Sequence, residues 1–256
     1  MDDELNPAFF RASGRRRTIL GLFGLVGWYE RRLKDKLARR ISAILPRCRG
    51  VWLRDPQSVE MLARTGFASA GVAADTAILM GSDLPSPAPA APTLGLCIST
   101  QRQVADLKGV KRLVETVRKA GVRVLGIPMN SKTDRSLLER LGVECIPGDT
   151  PQAVVEAAAK CSAVLSSRLH LLILSANAGT PIIGIARGSK LANWLANFGR
   201  TVDGSVYDCD WDAVAAHVLA EVKDRSAWNI ARNDAYKRLF ARFEAARVEL
   251  ISSLTH

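Results

Sequence analysis

Residues 163–190 read AVLSSRLHLLILSANAGTPIIGIARGSK. The first apolar run, 163–165, leads through two serines into a helical pattern that we expect over 169–178. A second apolar run follows at 181–185. A strand, a helix and a second strand in this order predict two neighbouring strands of a parallel sheet.

Four side chains that can carry charge follow these two strands. Arg168 and His170 come after the first strand, and Arg187 and Lys190 come after the second. Ligands of parallel α/β sheets bind beyond the carboxyl ends of the strands, so we expect the four side chains to face one site. Arginine binds carboxylate and phosphate groups in a bidentate manner, and the set therefore suits a small, doubly charged anion.

The surrounding sequence repeats the alternation of strand and helix. Apolar runs at 94–98, 122–127, 143–146, 163–165 and 181–185 are separated by helical patterns at 104–119, 134–141, 150–160 and 169–178. Gly121 and Gly142 stand where helices should end, and Thr150 with Pro151 marks a helix start. This pattern predicts an α/β fold with a doubly wound parallel sheet.

We expect four parts along the chain. They are a partial N-terminal α/β domain with a basic helix (1–84), a linker rich in proline and alanine (85–92), a Rossmann-like domain (93–222) and a C-terminal helix that packs back on the domains (223–256). The linker follows from its composition, because a Pro/Ala run cannot be helical and has no large side chains to bury.

The N-terminal part contains a short predicted strand, 50–53, and a predicted helix, 59–65. Asp55 suits the N-cap of that helix, since its side chain can accept from the unpaired amides of the first turn. Arg54 is left at the strand end, where it either contacts an anion or forms a salt bridge to Asp55 or a neighbouring helix. Asp75 lies in an apolar context and needs a partner.

The chain of 256 residues is strongly basic, with a formal net charge of +11 and a pI near 9.9. Such a charge favours an acidic partner. Nucleic acid is the least favoured one, because the basic residues are not interleaved with aromatic residues along a strand. The basic helix expected over 28–45 is most simply a solvated face, and the alternative is a patch for anionic lipid headgroups or a pyrophosphate-linked glycolipid.

Cysteine usage favours a reducing, cytoplasmic location. The five cysteines are scattered and form no C-x-x-C pair, so neither a zinc site nor a disulfide framework is indicated. The apolar run 19–29 is too short to span a bilayer, which needs about 20 residues. Asp208-Cys209-Asp210 matches the D-x-D of metal-dependent sugar transferases, but capping of the following helix by Asp210 or Asp212 explains it more simply.

Two motifs carry a resemblance to a known family. S-x-R-L-H at 166–170, followed by A-G-T-P at 178–181 and by Lys190, resembles the C-terminal half of the polysaccharide pyruvyl transferases. Arg54-Asp55 with Ser58, and the later Asp75, resembles the R-D-x-x-S helix of the same family. The resemblance covers about 31–199.

The resemblance implies a fold like that of B-type glycosyltransferases, with two Rossmann-like halves facing a cleft. It implies transfer of the enolpyruvyl unit of phosphoenolpyruvate to a sugar of a cell-wall or exopolysaccharide unit, as a ketal, with no metal and no cofactor. The partners would be phosphoenolpyruvate and a saccharide or lipid-linked acceptor, and the basic N-terminal helix adds the alternative of a peripheral contact with an anionic membrane. By motif, His170 would be the catalytic acid-base residue, and Arg168, Arg54 and Lys190 would bind the substrate. Ser166 and Arg187, which follow the same two strands, complete the predicted substrate-binding set.

The opening segment of that family, G-G-x-N-x-G-D, is absent, so we expect an incomplete N-terminal Rossmann-like half beside a complete C-terminal one. Two alternatives stay open. A nucleotide-sugar glycosyltransferase of the same architecture would need a base-and-ribose pocket, often with an E-x(7)-E pair, which the second part lacks. A truncated, non-catalytic saccharide-binding remnant is the other.

Overall fold

The computed structural model of the chain describes residues 43–48, 50–80, 89–99, 104, 106–148 and 150–255. The strands are β1 Trp52–Leu53, β2 Gly71–Val72, β3 Thr93–Cys97, β4 Arg123–Gly126, β5 Glu144–Cys145, β6 Ala163–Ser166 and β7 Ile182–Gly184. The helices are α1 Pro56–Ala63, α2 Leu107–Lys119, α3 Thr133–Arg140, α4 Pro151–Ala159, α5 Leu169–Asn177, α6 Ser189–Leu195, α7 Trp211–Lys223 and α8 Ser226–Thr255. Short 3-10 turns lie at Leu45–Arg47, Thr76–Leu79 and Ala196–Phe198.

Strands β3 to β7 form a parallel sheet in the order β5-β4-β3-β6-β7. The chain runs from β3 outward to β5 and then returns to the other side of β3 with β6 and β7. The order reverses between β3 and β6, which makes the gap at their carboxyl ends the topological switch point. The predicted fold class and the doubly wound sheet are confirmed.

The helix starts follow from capping side chains. Asp55 caps α1 by accepting from the Ser58 amide at 2.8 Å, and Thr150 caps α4 by accepting from the Ala153 amide at 3.3 Å, as predicted. The helix expected from residue 104 begins only at Leu107, because the Asp106 carboxylate accepts from the Gly109 amide at 2.7 Å and thereby sets the N-cap. Gly121 and Gly142 adopt the left-handed conformation that ends α2 and α3.

The main core lies between the sheet and the pair α2 and α7. Leu94 and Leu96 of β3 are fully buried against Val110 and Leu113 of α2, and Trp211 and Val214 of α7 belong to the same cluster. The buried residues of α2, and likewise those of α7, are spaced so that they lie on one face of their helix. One apolar face of each helix therefore covers the sheet.

The first turns of α8 close the carboxyl end of α5. Trp228 is fully buried, and its indole nitrogen donates to the Gly179 carbonyl at 3.0 Å. Arg225 donates to the same carbonyl at 2.7 Å, and Arg232 donates to the Ala176 carbonyl at 2.6 Å. The last carbonyl groups of a helix have no hydrogen-bond donors within the helix, and here these side chains are the donors.

A smaller parallel sheet joins β1 and β2, with Trp52 opposite Gly71. A Cβ at Gly71 would lie 2.8 Å from the Trp52 ring, so glycine leaves the room that the indole needs. The Trp52 indole nitrogen donates to Glu249 at 2.8 Å, and a small apolar cluster centred on Leu53 and Leu62 fills this region.

Contacts divide the chain into two compact units, 1–75 with 239–256 and 76–238. The described part of the predicted partial N-terminal half contains the two-stranded sheet of the first unit. The first half of the predicted linker, 85–88, lies outside the described residues, and its second half, 89–92, leads into β3. The apolar run 19–29, and the basic helix up to residue 42, also lie outside them.

Candidate functional site

The switch point between β3 and β6 carries a serine-rich turn. Ser166 is buried, and its hydroxyl accepts from the Arg168 amide at 2.8 Å and donates to the Arg168 carbonyl at 3.2 Å. The Ser167 amide donates to the Cys97 carbonyl at 3.0 Å, and the Ser167 hydroxyl accepts from the Ser99 amide at 2.8 Å. The sequence predicts a substrate contact for Ser166, and in the structure its hydroxyl binds the backbone of this turn.

Arg168 leaves this turn as the N-cap residue of α5, and Asp134 holds its side chain. The guanidinium donates from Nε to Asp134 Oδ2 at 3.0 Å and from NH2 to Asp134 Oδ1 at 2.7 Å. Asp134 is fully buried, and the Arg168 side chain retains 18% of its exposure. The guanidinium edge of Arg168 that carries Nε therefore binds an internal carboxylate, and the predicted contact of Arg168 with the donor stays a prediction.

His170 lies in the first turn of α5 and is exposed to solvent. Its neighbour Leu171 is fully buried, so this bulky residue points into the core rather than over the imidazole. A histidine that is exposed at the carboxyl edge of the sheet can exchange protons with a molecule bound there.

Arg187 extends the cluster to β7. Its NH1 group donates to the Ser99 hydroxyl at 2.9 Å, and Ser99 in turn contacts Ser167, so the ends of β3, β6 and β7 are joined by hydrogen bonds. Lys190 is exposed in the first turn of α6, directly after β7. The structure thus brings Arg168 and Arg187 to one edge of the sheet and leaves His170 and Lys190 exposed at that edge.

Arg54 belongs to the other unit and is engaged by two carboxylates. Its Nε lies 3.2 Å from Asp55 Oδ2, and its NH1 lies 3.3 Å from Asp75 Oδ2. The salt-bridge interpretation of Arg54 is the one that the structure shows, and Asp75 has the partner that its burial requires. A ligand role for Arg54 stays a prediction.

His217, in α7, forms a second ionic cluster. Its Nδ1 lies 2.5 Å from Asp203 Oδ1, and its Nε2 lies 3.5 Å from Glu221 Oε1, which also pairs with Arg200 at 2.7 Å. The hydrogen bond with Asp203 is the main cause that raises the pKa of His217 to about 9, from an ordinary value of 6.5. We interpret this cluster as structural, since the imidazole is held by carboxylates on both sides.

The D-x-D pattern serves as a helix cap. The Asp210 carboxylate accepts from the amides of Asp212 at 3.1 Å and Ala213 at 3.0 Å, at the start of α7. Among the described residues, no group of three or more His, Cys, Asp and Glu side chains is placed to hold a metal ion. In the same part of the chain, no helix is long and apolar enough to cross a membrane.

Sequence comparison adds the family. The sequence model of the polysaccharide pyruvyl transferases matches residues 26–189, which include both motifs. The chain belongs to the polysaccharide pyruvyl transferase family. His170, Arg168, Arg187 and the R-D-x-x-S helix all lie inside the matched segment, and Lys190 is the residue directly after it. No curated protein sequence matches the chain.

Solved structures confirm the fold of this pyruvyl transferase family member. A Staphylococcus aureus TarM mutant in complex with fondaparinux, alpha-GlcNAc-glycerol and UDP is 12% identical, with a TM-score of 0.57 over 86% of this chain and 47% of that one. S. aureus MnaA with UDP is 11% identical, with a TM-score of 0.57 over 82% and 60%. Anabaena HepE with UDP and glucose is 13% identical, with a TM-score of 0.54 over 94% and 71%.

These similarities establish a fold of the glycosyltransferase B type and say nothing about substrates. The chain spans about half the length of TarM. Asp134, Ser99 and Ser167 are the residues of the cluster that sequence reasoning missed. The sequence offers one signal for Asp134, which is an aspartate in the first turn of a helix that follows a strand. The same pattern is also explained by ordinary stabilisation of the helix.

Proposed function

We propose that the protein transfers the enolpyruvyl unit of phosphoenolpyruvate to a saccharide acceptor and forms a ketal. The observation that carries the proposal is the exposed His170 beside Arg168, within the segment that matches the family. A cytoplasmic site of action, where phosphoenolpyruvate is produced, is part of the same proposal.

The reaction needs a proton at one carbon and a nucleophile at the next. His170 would protonate the methylene carbon of phosphoenolpyruvate, and the positive charge that develops at the adjacent carbon is attacked by a sugar hydroxyl. A second hydroxyl of the same sugar then displaces phosphate from that carbon, so that two C–O bonds form and the C–O bond to phosphate breaks. One hydroxyl proton replaces the one given by His170, and the other leaves with phosphate. Imidazole titrates near neutrality and suits this proton exchange.

Recognition of the donor requires several cations, because phosphoenolpyruvate carries a carboxylate and a phosphate on adjacent atoms. Arg187 and Lys190 lie at the same edge of the sheet as Arg168 and would contact these groups. Asp134 offsets part of the charge of Arg168, which leaves Arg187 and Lys190 as the more important contacts for the phosphate. The scheme uses no metal and no organic cofactor.

The test is an assay with purified full-length protein, phosphoenolpyruvate and synthetic or lipid-linked galactoside, glucoside or mannoside acceptors. Phosphate release that depends on the acceptor, together with an increase in product mass by one pyruvyl ketal, supports the proposal. We expect His170→Ala to lower the rate by about 10²-fold or more, because a positioned acid-base group contributes about 10² to 10⁴.

His217→Gln is the matched control, since it removes a histidine that carboxylates hold away from this cluster, and we expect it to retain activity. Transfer that survives His170→Ala would contradict the role given to His170. Turnover of a uridine or guanosine diphosphate sugar in place of phosphoenolpyruvate would favour a glycosyltransferase instead.

A further inference from the structure

Asp134 is a fully buried charged group at the switch point. It lies in the first turn of α3 with none of its surface exposed. Burial of a carboxylate is costly unless it is paired and hydrogen-bonded. Its oxygens are met by the Arg168 guanidinium at 3.0 and 2.7 Å and by the Cys97 thiol, which donates to Oδ2 at 3.6 Å.

The surroundings hold this carboxylate in place. The amino end of α3 favours a negative charge in its first turn. The Asn130 side chain fixes that end by accepting from the amides of Lys132 at 3.0 Å and Thr133 at 2.8 Å. Burial raises the pKa of the Cys97 thiol, which therefore stays protonated and able to donate to Asp134.

The pairing connects two distant segments at the point where the site forms. Asp134 follows β4, whereas Arg168 follows β6 and is the N-cap residue of α5, two positions before His170. Because the Ser166 hydroxyl binds the Arg168 backbone while Asp134 binds its side chain, this residue is held at both ends. The direction of the guanidinium and the start of the helix that carries His170 are thereby set together.

We infer that Asp134 is a positioning residue of the transfer reaction, which orients Arg168 and the first turn of α5 for the donor. The expected effect on the reaction rate rests on the proposed function. Displacement of a binding or catalytic group by about 1 Å costs about 10²-fold in rate, so a loose Arg168 should be felt in catalysis as well as in stability.

The experiment compares Asp134→Asn with Glu221→Gln in the full-length protein. Glu221 forms a comparable ion pair with Arg200 at 2.7 Å in the same unit, with both side chains less than a fifth exposed. Each variant removes one negative charge from a mostly buried pair, so we expect both to lower the free energy of unfolding. Assays are run at a temperature at which circular dichroism shows both variants folded.

We expect kcat/KM for phosphoenolpyruvate to fall roughly 10²-fold in Asp134→Asn and less than threefold in Glu221→Gln. Equal losses in the two variants would overturn the inference, since both losses would then reflect stability alone. Should Asp134→Asn not fold, Asp134→Glu serves in its place, because it keeps the charge and moves it by one methylene group, and the same criterion applies.

Failure of the proposed function is recognised separately. If the wild-type protein does not turn over phosphoenolpyruvate, the inference is decided by the imidazole NMR resonances of His170, assigned with His170→Gln. We expect these resonances to shift in Asp134→Asn and to stay unchanged in Glu221→Gln. Unchanged resonances in both variants would overturn the positioning role, whatever the reaction.

Discussion

Arg54 shows that a cation at a strand end can serve the fold. The residue stands directly before a helix start, a place that also suits anion binding. In the structure its guanidinium lies between Asp55 and Asp75, and only 13% of its side chain is exposed. The two carboxylates would repel each other without it, so we regard Arg54 as a stabilising residue.

We expect Arg54→Met to lower the free energy of unfolding by about 3 kcal/mol or more, because loss of one partner leaves buried charges uncompensated. Urea denaturation at neutral pH measures this change. Arg64→Met is the control, since Arg64 pairs with Glu60 at 2.7 Å on the surface and an exposed pair contributes about 0.5 kcal/mol or less. Unchanged stability with a raised KM for phosphoenolpyruvate would return Arg54 to the set of ligands.

His217 should make the free energy of unfolding decrease as the pH rises into the alkaline range. Its pKa in the folded protein, about 9, lies above the unfolded value of about 6.5. The charged imidazole therefore stabilises the fold fully below pH 6.5, and this contribution is lost as the pH rises to about 9.

Comparison of wild type with His217→Gln at pH 6 and pH 9.5 isolates this effect, because other titrating groups are common to both proteins. We expect the wild type to be more stable by about 1 kcal/mol at pH 6, a value limited by the partial exposure of the pair, and the difference to vanish at pH 9.5. Thermal unfolding provides the measurement. A difference that does not change with pH would show that folding does not shift the pKa of His217.

At the level of secondary-structure elements, helix α2 packs against α7 through a glycine. A Cβ at Gly109 would collide with the ring of Trp211 and with the carboxylate of Asp106 that caps α2. The absence of a side chain thus allows the cap and the close approach of the two helices at once.

We expect Gly109→Ala to lower the free energy of unfolding by about 1 to 3 kcal/mol through overpacking, although alanine is the better helix former. Gly148→Ala is the control, because a Cβ there would meet only Ala153, at an ordinary distance of 3.5 Å. Urea denaturation of both variants tests the difference. A stabilised Gly109→Ala protein would mean that Trp211 moves away without cost.

The elements were largely predictable, because their ends depend on local side chains. Asp55, Thr150 and the two left-handed glycines mark helix ends in the sequence and in the structure. The pairing of Asp134 with Arg168 was not predictable, because the two residues are 34 positions apart and meet only once β4 and β6 take their places on either side of β3. The hydrogen-bond partner of Ser166 and the second carboxylate partner of Arg54 were not predictable either, since only the folded chain brings them together.

At the scale of the whole molecule, the net charge of +11 sets the interaction with surfaces. We expect the protein to bind vesicles that contain phosphatidylserine and not vesicles of phosphatidylcholine alone, since each basic residue near an anionic surface contributes about 1 kcal/mol. Binding should be lost at about 1 M salt, where the screening length falls to about 3 Å. Cosedimentation measures it.

The control for this prediction is Arg31→Glu with Arg32→Glu, in the basic stretch that the sequence places at 28–45. We expect this variant to bind the anionic vesicles more weakly than the wild type. Equal binding of the two proteins would show that the attraction comes from the rest of the surface. Binding to neutral vesicles at high salt would point to an apolar contact instead.

The hydrogen bonds from Arg225, Trp228 and Arg232 to the end of α5 also bear on synthesis of the chain. While the ribosome still covers residues 225–236, the sheet of the larger unit has emerged but lacks the groups that complete it. A stalled nascent chain of that length should therefore be sensitive to protease, and resistance should appear only when the indole of Trp228 has left the exit tunnel. Maturation of this sheet in this way depends on a segment that the ribosome makes after all five of its strands.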